Sequence, residues 1–238
     1  MINVNPRYPE KIRVSLGSAI LLNLITGKID AAPTTLYLLT YHPDRCNANC
    51  SFCSQARSST SRSDKLSRVA WPIFSTSCFL TQLNTIAKKK GVQRICLQAI
   101  NYPNIFDDTL HLVREFQKSN IPISVSCQPF TENQIRQLAE AGIDRIGIPL
   151  DLPTETLFKK IKGSITGSKY TWKTHLSALK AAVKHLGKGS VSTHFIVGLG
   201  ETDYELLQTI QQMLDIGVYP SLFAFTPIPG TPLSTRSQ

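Results

Sequence analysis

Short apolar or β-branched runs alternate along the chain with longer segments in which apolar positions recur at helical spacing. The short runs predict six strands, namely TTLYLLTY from Thr34, VQRICLQ from Val92, IPISVSC from Ile121, IDRIGIPL from Ile143, SVSTHFIVG from Ser190 and SLFAFTP from Ser221. Because helices that alternate with strands usually join parallel neighbours, this order predicts an α/β fold with a parallel sheet.

Two of the predicted helices carry their start signals in the sequence. TENQIRQLAEAG begins with Thr131 as N-cap and has Gln134 three residues later, and TDYELLQTIQQMLDIG repeats the pattern with Thr202 and Glu205. A glycine follows each helix, as is typical of a helix end. In doubly wound sheets and in barrels, ligands bind beyond the carboxyl ends of the strands, so the functional residues are expected at that edge.

The predicted organisation is an N-terminal helical extension over residues 1–33 and a single barrel domain over residues 34–238. The longest apolar run, LGSAILLNLITG from Leu16, is too short to cross a bilayer and predicts a buried helix. We see no secretory signal, so we expect a cytoplasmic protein with no membrane segment, in which clustered cysteines serve metal or redox chemistry rather than crosslinks.

The net charge of the chain leaves two interpretations open. The 26 Lys and Arg exceed the 16 Asp and Glu, which gives a formal charge of +10. This excess is typical of solvated helix faces, and it also suits an acidic carrier protein, a phosphorylated substrate or a nucleic acid. Nucleic acid is the least expected partner, because aromatic content is 8% and no RNA-binding domain is visible. His111, His175 and His185 lie in polar helical contexts and are predicted to face solvent.

Three of the six cysteines, Cys46, Cys50 and Cys53, lie in one polar loop, CNANCSFC, directly after a predicted strand. Thiolates bind soft metals, and the spacing C-x3-C-x2-C supplies three ligands to an iron–sulfur cubane while leaving one iron open. One alternative is a structural zinc site that a remote Cys or His completes. Another is an accidental group of core cysteines, although the polar residues of the loop disfavour it.

The stretch YHPDRCNANCSFC resembles the cluster loop of the radical S-adenosylmethionine (SAM) superfamily. The resemblance implies that Cys46, Cys50 and Cys53 hold a catalytic [4Fe–4S] cluster, that SAM binds the open iron, and that Phe52 packs beside the adenine. An electron, supplied by a donor such as ferredoxin, would cleave the sulfonium and give a 5'-deoxyadenosyl radical. Such a radical can attack an unactivated C–H bond, which acid–base side chains cannot do.

Three further stretches extend the resemblance. IVGLGET, with Ile196 and Gly198, is similar to the fifth-strand motif that holds the cofactor, and PIPGTPL from Pro227 is similar to the turn that flanks the adenine. Asp151 falls where the superfamily places a ribose ligand. Together these stretches imply a partial (β/α)6 barrel of the TIM type.

Within the superfamily the chain looks most like the biotin synthase-like enzymes. ICLQA with Cys96 and SVSCQ with Cys127 are similar to strands whose cysteines hold an auxiliary iron–sulfur cluster, the sulfur source of biotin synthase. Ser192 replaces the next cysteine of that pattern, so the remaining ligand stays open among Ser192, His194 and Cys78, with Cys78 favoured as a thiolate. The alternative is that these cysteines are ordinary core residues.

The stretch IGIPLD, with Gly147 and Pro149, offers no side-chain hydrogen bonds, which predicts a cleft poor in polar groups, better suited to an alkyl chain than to a ureido ring. With CSQAR after Cys53 and LSRVAWP at Leu66, it resembles the archaeal-type two-component lipoyl synthases. That resemblance implies sulfur insertion into an octanoyl chain on a lipoyl carrier protein, together with a second radical SAM subunit. The alternatives are biotin synthase or another biotin synthase-like enzyme, an RNA-modifying radical SAM enzyme, and a noncatalytic zinc or cluster protein.

Overall fold

The computed structural model describes residues 8–87, 89 and 91–236, without the side chain of Ile86. The strands are β1 Lys11–Val14, β2 Thr35–Thr40, β3 Lys65–Leu66, β4 Val69–Ala70, β5 Ile73–Ser75, β6 Arg94–Gln98, β7 Ile123–Ser126, β8 Arg145–Gly147, β9 Val191–Val197 and β10 Tyr219–Ala224. The helices are α1 Leu16–Leu21, α2 Thr76–Ile86, α3 Ile105–Gln117, α4 Glu132–Glu140, α5 Glu155–Ile161, α6 Trp172–Leu186 and α7 Asp203–Asp215, with a 3-10 turn at Ser164–Thr166.

Eight strands form one sheet in the order β10-β9-β8-β7-β6-β2-β1-β5. The strands β2, β6, β7, β8, β9 and β10 pair in parallel with one another, and they are the six strands that the sequence predicts. The two edge strands, β5 and β10, are not paired with each other, so the sheet is open at that point. This α/β architecture confirms the predicted fold class, that of a partial barrel.

The predicted N-terminal extension contains a strand as well as a helix. Residues 1–7 of that segment lie outside the described residues. β1 pairs antiparallel with both β2 and β5, with Arg13 opposite Leu39 on one side and Ile73 on the other. Arg13 is buried, and its guanidinium donates to the carbonyl of Trp71 at 2.9 Å. The segment is therefore part of the sheet through β1, and among its described residues only α1 is an α-helix.

The two faces of the sheet carry different side chains. Along β6 and β7, fully buried Ile95, Leu97, Ile123 and Val125 alternate with half-buried residues. Side chains alternate between faces with period two, so the buried set faces the outer helices and the half-buried set faces the concave interior of the sheet. We call this second side the interior face.

The helix starts predicted from local sequence are confirmed. At α4, Thr131 accepts from the backbone N–H of Gln134, whose side chain in turn accepts from the N–H of Thr131. Thr202 and Glu205 form the same reciprocal pair at α7. Among the residues described, no helix is both long enough and apolar enough to span a membrane.

Candidate functional site

The three-cysteine loop, residues 46–53, leaves the carboxyl end of β2 and is fixed by backbone hydrogen bonds. The N–H of Cys46 donates to the carbonyl of Gln55 at 3.1 Å. Near the middle of the loop, the N–H of Ser51 donates to the carbonyl of Ile161 at 2.8 Å, and the carbonyl of Ser51 accepts from Leu233 at 3.3 Å. The loop is thus attached to the end of α5 and to the C-terminal segment, which explains how a polar loop keeps one shape.

The three thiols of this loop lie close enough to influence one another. Burial raises the pKa of Cys46, raises that of Cys50 well above its usual range, and raises that of Cys53 to about 12. The neighbouring thiols add to the rise in pKa at Cys50, since like charges disfavour each other. Without metal the thiols therefore stay protonated at neutral pH, so iron binding has to release protons.

The donor set of the loop consists of three cysteine thiols. Thiolates are soft ligands of the kind that iron–sulfur clusters take. In a cubane each cysteine ligates a different iron, so Cys46, Cys50 and Cys53 are chemically suited to three of the four irons. Within the described part of the chain, no three His, Cys, Asp or Glu side chains are grouped so as to hold one metal ion.

A small apolar cluster lies beside the loop, separate from the main core. Its buried members are Leu152, Phe158, Ile161, Leu199 and Phe225. Phe52 and Ile196 both pack against it, although they lie far apart in sequence. The structure thus brings together two of the predicted cofactor-binding residues, on an apolar surface of the kind that an aromatic base prefers.

The turn between β9 and α7 is fixed by a carboxylate. Gly198 has φ +101°, a left-handed conformation that glycine adopts without strain. Glu201 accepts hydrogen bonds from the N–H groups of Gly198 at 2.5 Å and Leu199 at 2.9 Å. Glu201, which directly precedes the N-cap Thr202 of α7, therefore holds the turn in shape.

The turn after β10, which contains half-buried Pro227, packs on the segment that follows the three-cysteine loop. The carbonyl of Gly230 accepts from the N–H of Thr60 at 2.9 Å. A Cβ atom at Gly230 would lie 2.5 Å from the backbone nitrogen of Ser61, so only glycine fits. Arg45 donates from the other side to the carbonyl of Ser61. These contacts join the predicted adenine-flanking turn to the predicted cluster loop.

Asp151 is buried at the end of β8, with φ +67°. Its carboxylate contacts the ammonium of Lys162 at 2.6 Å and Nε2 of His194 at 2.9 Å. Burial by itself raises the pKa of Asp151, but the attraction of Lys162 and His194 outweighs it and holds the pKa below the usual range. Both oxygens are engaged, so a ribose hydroxyl at the predicted site would have to share them.

Lys162 is a functional candidate that the sequence did not reveal. Its side chain is 3% exposed, and besides Asp151 its ammonium donates to the carbonyl of Pro149. The same ammonium lies 5.6 Å from the ring centroids of both Phe158 and Tyr170. Lys159, one turn earlier on α5, is exposed as expected. Nothing in the run KKIKG distinguishes the buried lysine from its exposed neighbours.

Tyr170 and Asn101 extend this polar group towards the cluster loop. The backbone N–H of Asn101 donates to the sulfur of Cys46 at 3.3 Å, and its side chain donates to the hydroxyl of Tyr170 at 3.1 Å. The prediction that His175 faces solvent is wrong: its ring is fully buried beside Tyr170, and Nδ1 lies 2.9 Å from the carbonyl of Thr171. Burial lowers the pKa of His175 to about 3.

The predicted auxiliary ligands Cys96 and Cys127 do not share a face of the sheet. Cys96 lies on the interior face of β6, opposite Ser124 on β7, and hydrogen bonds with that serine. Cys127 is three residues beyond Ser124, about 10 Å along the strand direction. It is 2% exposed and belongs to the main apolar core. Cys127 directly follows β7, and its N–H continues the ladder by donating to the carbonyl of Gly147 at 3.0 Å, so the alternation of the strand puts it on the side of Ile123 and Val125.

Cys78, the favoured third auxiliary ligand, lies in the first turn of α2 and is exposed. α2 follows β5, and the strands β1 and β2 separate β5 from β6. Three interstrand spacings amount to about 14 Å, too far for Cys78 to share a small cluster with Cys96. The structure therefore does not bring the three predicted auxiliary cysteines together.

The interior face is more polar than the sequence predicts. Ser192 on β9 and Ser126 on β7 flank Gly147, at 3.2 Å and 3.7 Å from where its Cβ would lie. Ser124 shares this face with Cys96, and Ser221 is in register with His194. The prediction of a polar-poor cleft is therefore wrong for this face, because the hydroxyls come from neighbouring strands and not from IGIPLD itself.

Comparisons with known proteins decide the family. A model of the Radical SAM superfamily matches residues 40–213, which run from the end of β2 into α7. The chain belongs to the radical SAM superfamily. Membership implies a [4Fe–4S] cluster and SAM, and the three-cysteine loop and the adjoining apolar cluster are chemically suited to hold them.

Relatives of known activity include biotin synthases. The enzyme of Acinetobacter calcoaceticus is 27% identical over 203 residues, which cover 83% of this chain and 57% of that protein. The enzyme of Schizosaccharomyces pombe is 26% identical over 210 residues, which cover 82% of this chain and 52% of that protein. This radical SAM chain therefore spans about half the length of the curated relatives it matches.

Solved structures agree on the fold. Methylornithine synthase superposes with a TM-score of 0.68 and 16% identity, covering 84% of this chain and 56% of that one. The FeFe-hydrogenase maturase HydG from Carboxydothermus hydrogenoformans superposes with a TM-score of 0.62 and 20% identity, covering 86% and 48%. At these identities the likeness shows the radical SAM fold alone.

Proposed function

We propose that this protein inserts sulfur at an unactivated C–H bond of its substrate. The observation that carries the proposal is the position of Cys96, a thiol on the interior face of the strand next to β2, which leads into the three-cysteine loop. The biotin synthases among its relatives support the same chemistry. When bound, the cluster and SAM supply the one-electron chemistry that breaks the C–H bond.

The chain's own residues have separate tasks in this proposal. Cys46, Cys50 and Cys53 ligate the cluster, and the apolar cluster beside Phe52 keeps water from the cofactor. Cys96 binds the sulfur source near the substrate. Of the three cysteines predicted to hold an auxiliary cluster, Cys96 alone keeps that role here, because Cys127 lies in the core and Cys78 lies on the far side of two strands.

For the substrate we propose an octanoyl chain attached to a lipoyl carrier protein. Among the described residues, β10 pairs on one side only, and this supports the choice because an open edge offers a tethered chain a side entrance to the interior face. The proposed partners are the carrier protein, a second radical SAM subunit and an electron donor such as ferredoxin. The excess of positive charge on the chain is compatible with an acidic carrier.

A second candidate is a small polar substrate such as the ureido-ring precursor of biotin. The specific observation in its favour is the row of hydroxyls on the interior face, from Ser124, Ser126, Ser192 and Ser221. Of these serines, Ser124, Ser126 and Ser192 are half-buried. Hydroxyls can donate to and accept from a ureido group, whereas an alkyl chain offers them no hydrogen-bond partner.

The test is an anaerobic reaction with SAM and a reductant, in which an octanoylated carrier domain and the biotin precursor are offered side by side. Sulfur-containing product on either one supports insertion and identifies the substrate class. We expect Cys96→Ala to keep forming 5'-deoxyadenosine but to lose the sulfur-containing product. Cys78→Ala, the matched control at an exposed cysteine of α2, should keep both. Retention of the sulfur-containing product in Cys96→Ala would refute the role of Cys96.

A further inference from the structure

Lys162 stands out among the charged residues of the site because its charge is buried. Its ammonium contacts the carboxylate of Asp151 at 2.6 Å, and Asp151 is held in turn by Nε2 of His194 at 2.9 Å. The other anchor of the ammonium is the carbonyl of Pro149. A buried ion pair is costly to desolvate, and it persists only where such further hydrogen bonds satisfy its groups.

Two sets of contacts connect Lys162 to the three-cysteine loop. The residue before it, Ile161, accepts through its carbonyl from the N–H of Ser51, which lies between Cys50 and Cys53. On the other side, the ammonium lies over the ring of Tyr170, which is joined through Asn101 to the sulfur of Cys46.

Both charges of the ion pair lie within electrostatic range of the three-cysteine loop. Lys162 acts on Cys46 and Cys50, and Asp151 acts on Cys50 and Cys53. Cys50 is therefore in range of both charges.

We propose that Lys162 is a positioning residue that stabilises the reduced form of the cluster on the three-cysteine loop, and that Asp151 anchors it while opposing this effect. The inference rests on the cluster that superfamily membership implies. Three thiolates make the cubane negative overall, and one electron from an external low-potential donor makes it more negative still. A nearby buried cation stabilises the reduced form more than the oxidised form, because charges interact strongly where water is excluded.

The experiment is a redox titration of the iron-loaded chain, followed by electron paramagnetic resonance and carried out without SAM. We expect the midpoint potential to be more negative in Lys162→Met than in the wild type, because a positive charge is lost. Lys162→Arg keeps the charge and should restore the wild-type value. The matched control is Lys159→Met, which removes a 54% exposed ammonium from the same helix and should change nothing. An iron-loaded Lys162→Met with the wild-type potential would overturn the inference.

Asp151→Asn gives a second test with the opposite sign, and it decides the matter if Lys162→Met does not fold. The amide has nearly the shape of the carboxylate but leaves the charge of Lys162 uncompensated, so the midpoint potential should rise. An unchanged or lower value in the iron-loaded variant contradicts the inference but leaves the cluster assignment intact. A wild-type chain that takes up no iron overturns the cluster assignment and this inference together.

Discussion

Replacement of Gly230 by alanine tests the contact between the turn after β10 and the segment after the three-cysteine loop. Gly230 has φ +83°, and a left-handed backbone costs a residue with a Cβ roughly 1–2 kcal/mol. The new Cβ would also lie 2.5 Å from the nitrogen and 2.9 Å from the Cα of Ser61. These are backbone atoms, which cannot rotate away, and overpacking of this kind costs roughly 1–3 kcal/mol more. We therefore expect Gly230→Ala to lose roughly 2–5 kcal/mol of unfolding free energy.

Gly187→Ala is the matched control. Gly187 has a similar φ of +86°, with ψ 162°, a conformation almost restricted to glycine, but a Cβ there would meet no atom within 4 Å. Its loss should be limited to backbone strain of roughly 1–3 kcal/mol. Urea unfolding of the metal-free chain measures both variants against the wild type. The difference in unfolding free energy between the two variants measures the contact of residue 230 with the backbone of Ser61. Equal losses of unfolding free energy would therefore refute that contact. Gly230→Ala should also load less iron than Gly187→Ala, since it displaces Ser61, whose carbonyl accepts from Arg45.

Three further predictions concern the loop, the core and a helix start. Cys50→Ala should lose both bound iron and the formation of 5'-deoxyadenosine, measured by iron analysis and chromatography; full activity would contradict the ligand assignment. Burial lowers the pKa of His175 from its ordinary 6.5 to about 3, so the unfolded chain binds a proton first and stability should fall as the pH drops from about 6.5 towards 3. His175→Gln should lose less stability over that range in urea titrations, and equal slopes would argue against a buried neutral ring. Thr202→Ala removes the N-cap of α7 and should lower the unfolding free energy by roughly 0.5–2 kcal/mol, which thermal unfolding would detect; no loss would show that the cap is dispensable.

The parts of the fold that are determined by residues close together in the sequence could be predicted. Strands such as β6, β7 and β9 carry buried apolar side chains at alternate positions, which is a local pattern of the sequence. The starts of α4 and α7 follow from Thr131 and Thr202, whose side chains bond only three residues along the chain. β1 and β5 were missed since KIRV and IFS are too short for a periodic signal, and their pairing is decided by distant strands.

Only the part of the candidate site that is carried by local sequence motifs was predicted. The spacing of Cys46, Cys50 and Cys53 is a local property, so the sequence revealed it. The burial of Lys162 and His175 depends on how α5 and α6 pack. The residues that flank them in the sequence do not distinguish them from exposed lysines and histidines. The opposite faces of Cys96 and Cys127 follow from strand phase, which a motif match alone does not take into account.

Anaerobic iron loading, followed by addition of SAM to the reduced protein, tests the central claim most directly. We predict about four irons per chain and an electron paramagnetic resonance spectrum that changes when SAM binds the open iron. The Cys50→Ala chain should show neither. Uptake of zinc in preference to iron, or a wild-type spectrum that SAM leaves unchanged, would contradict the assignment of Cys46, Cys50 and Cys53 as ligands of a SAM-binding cluster.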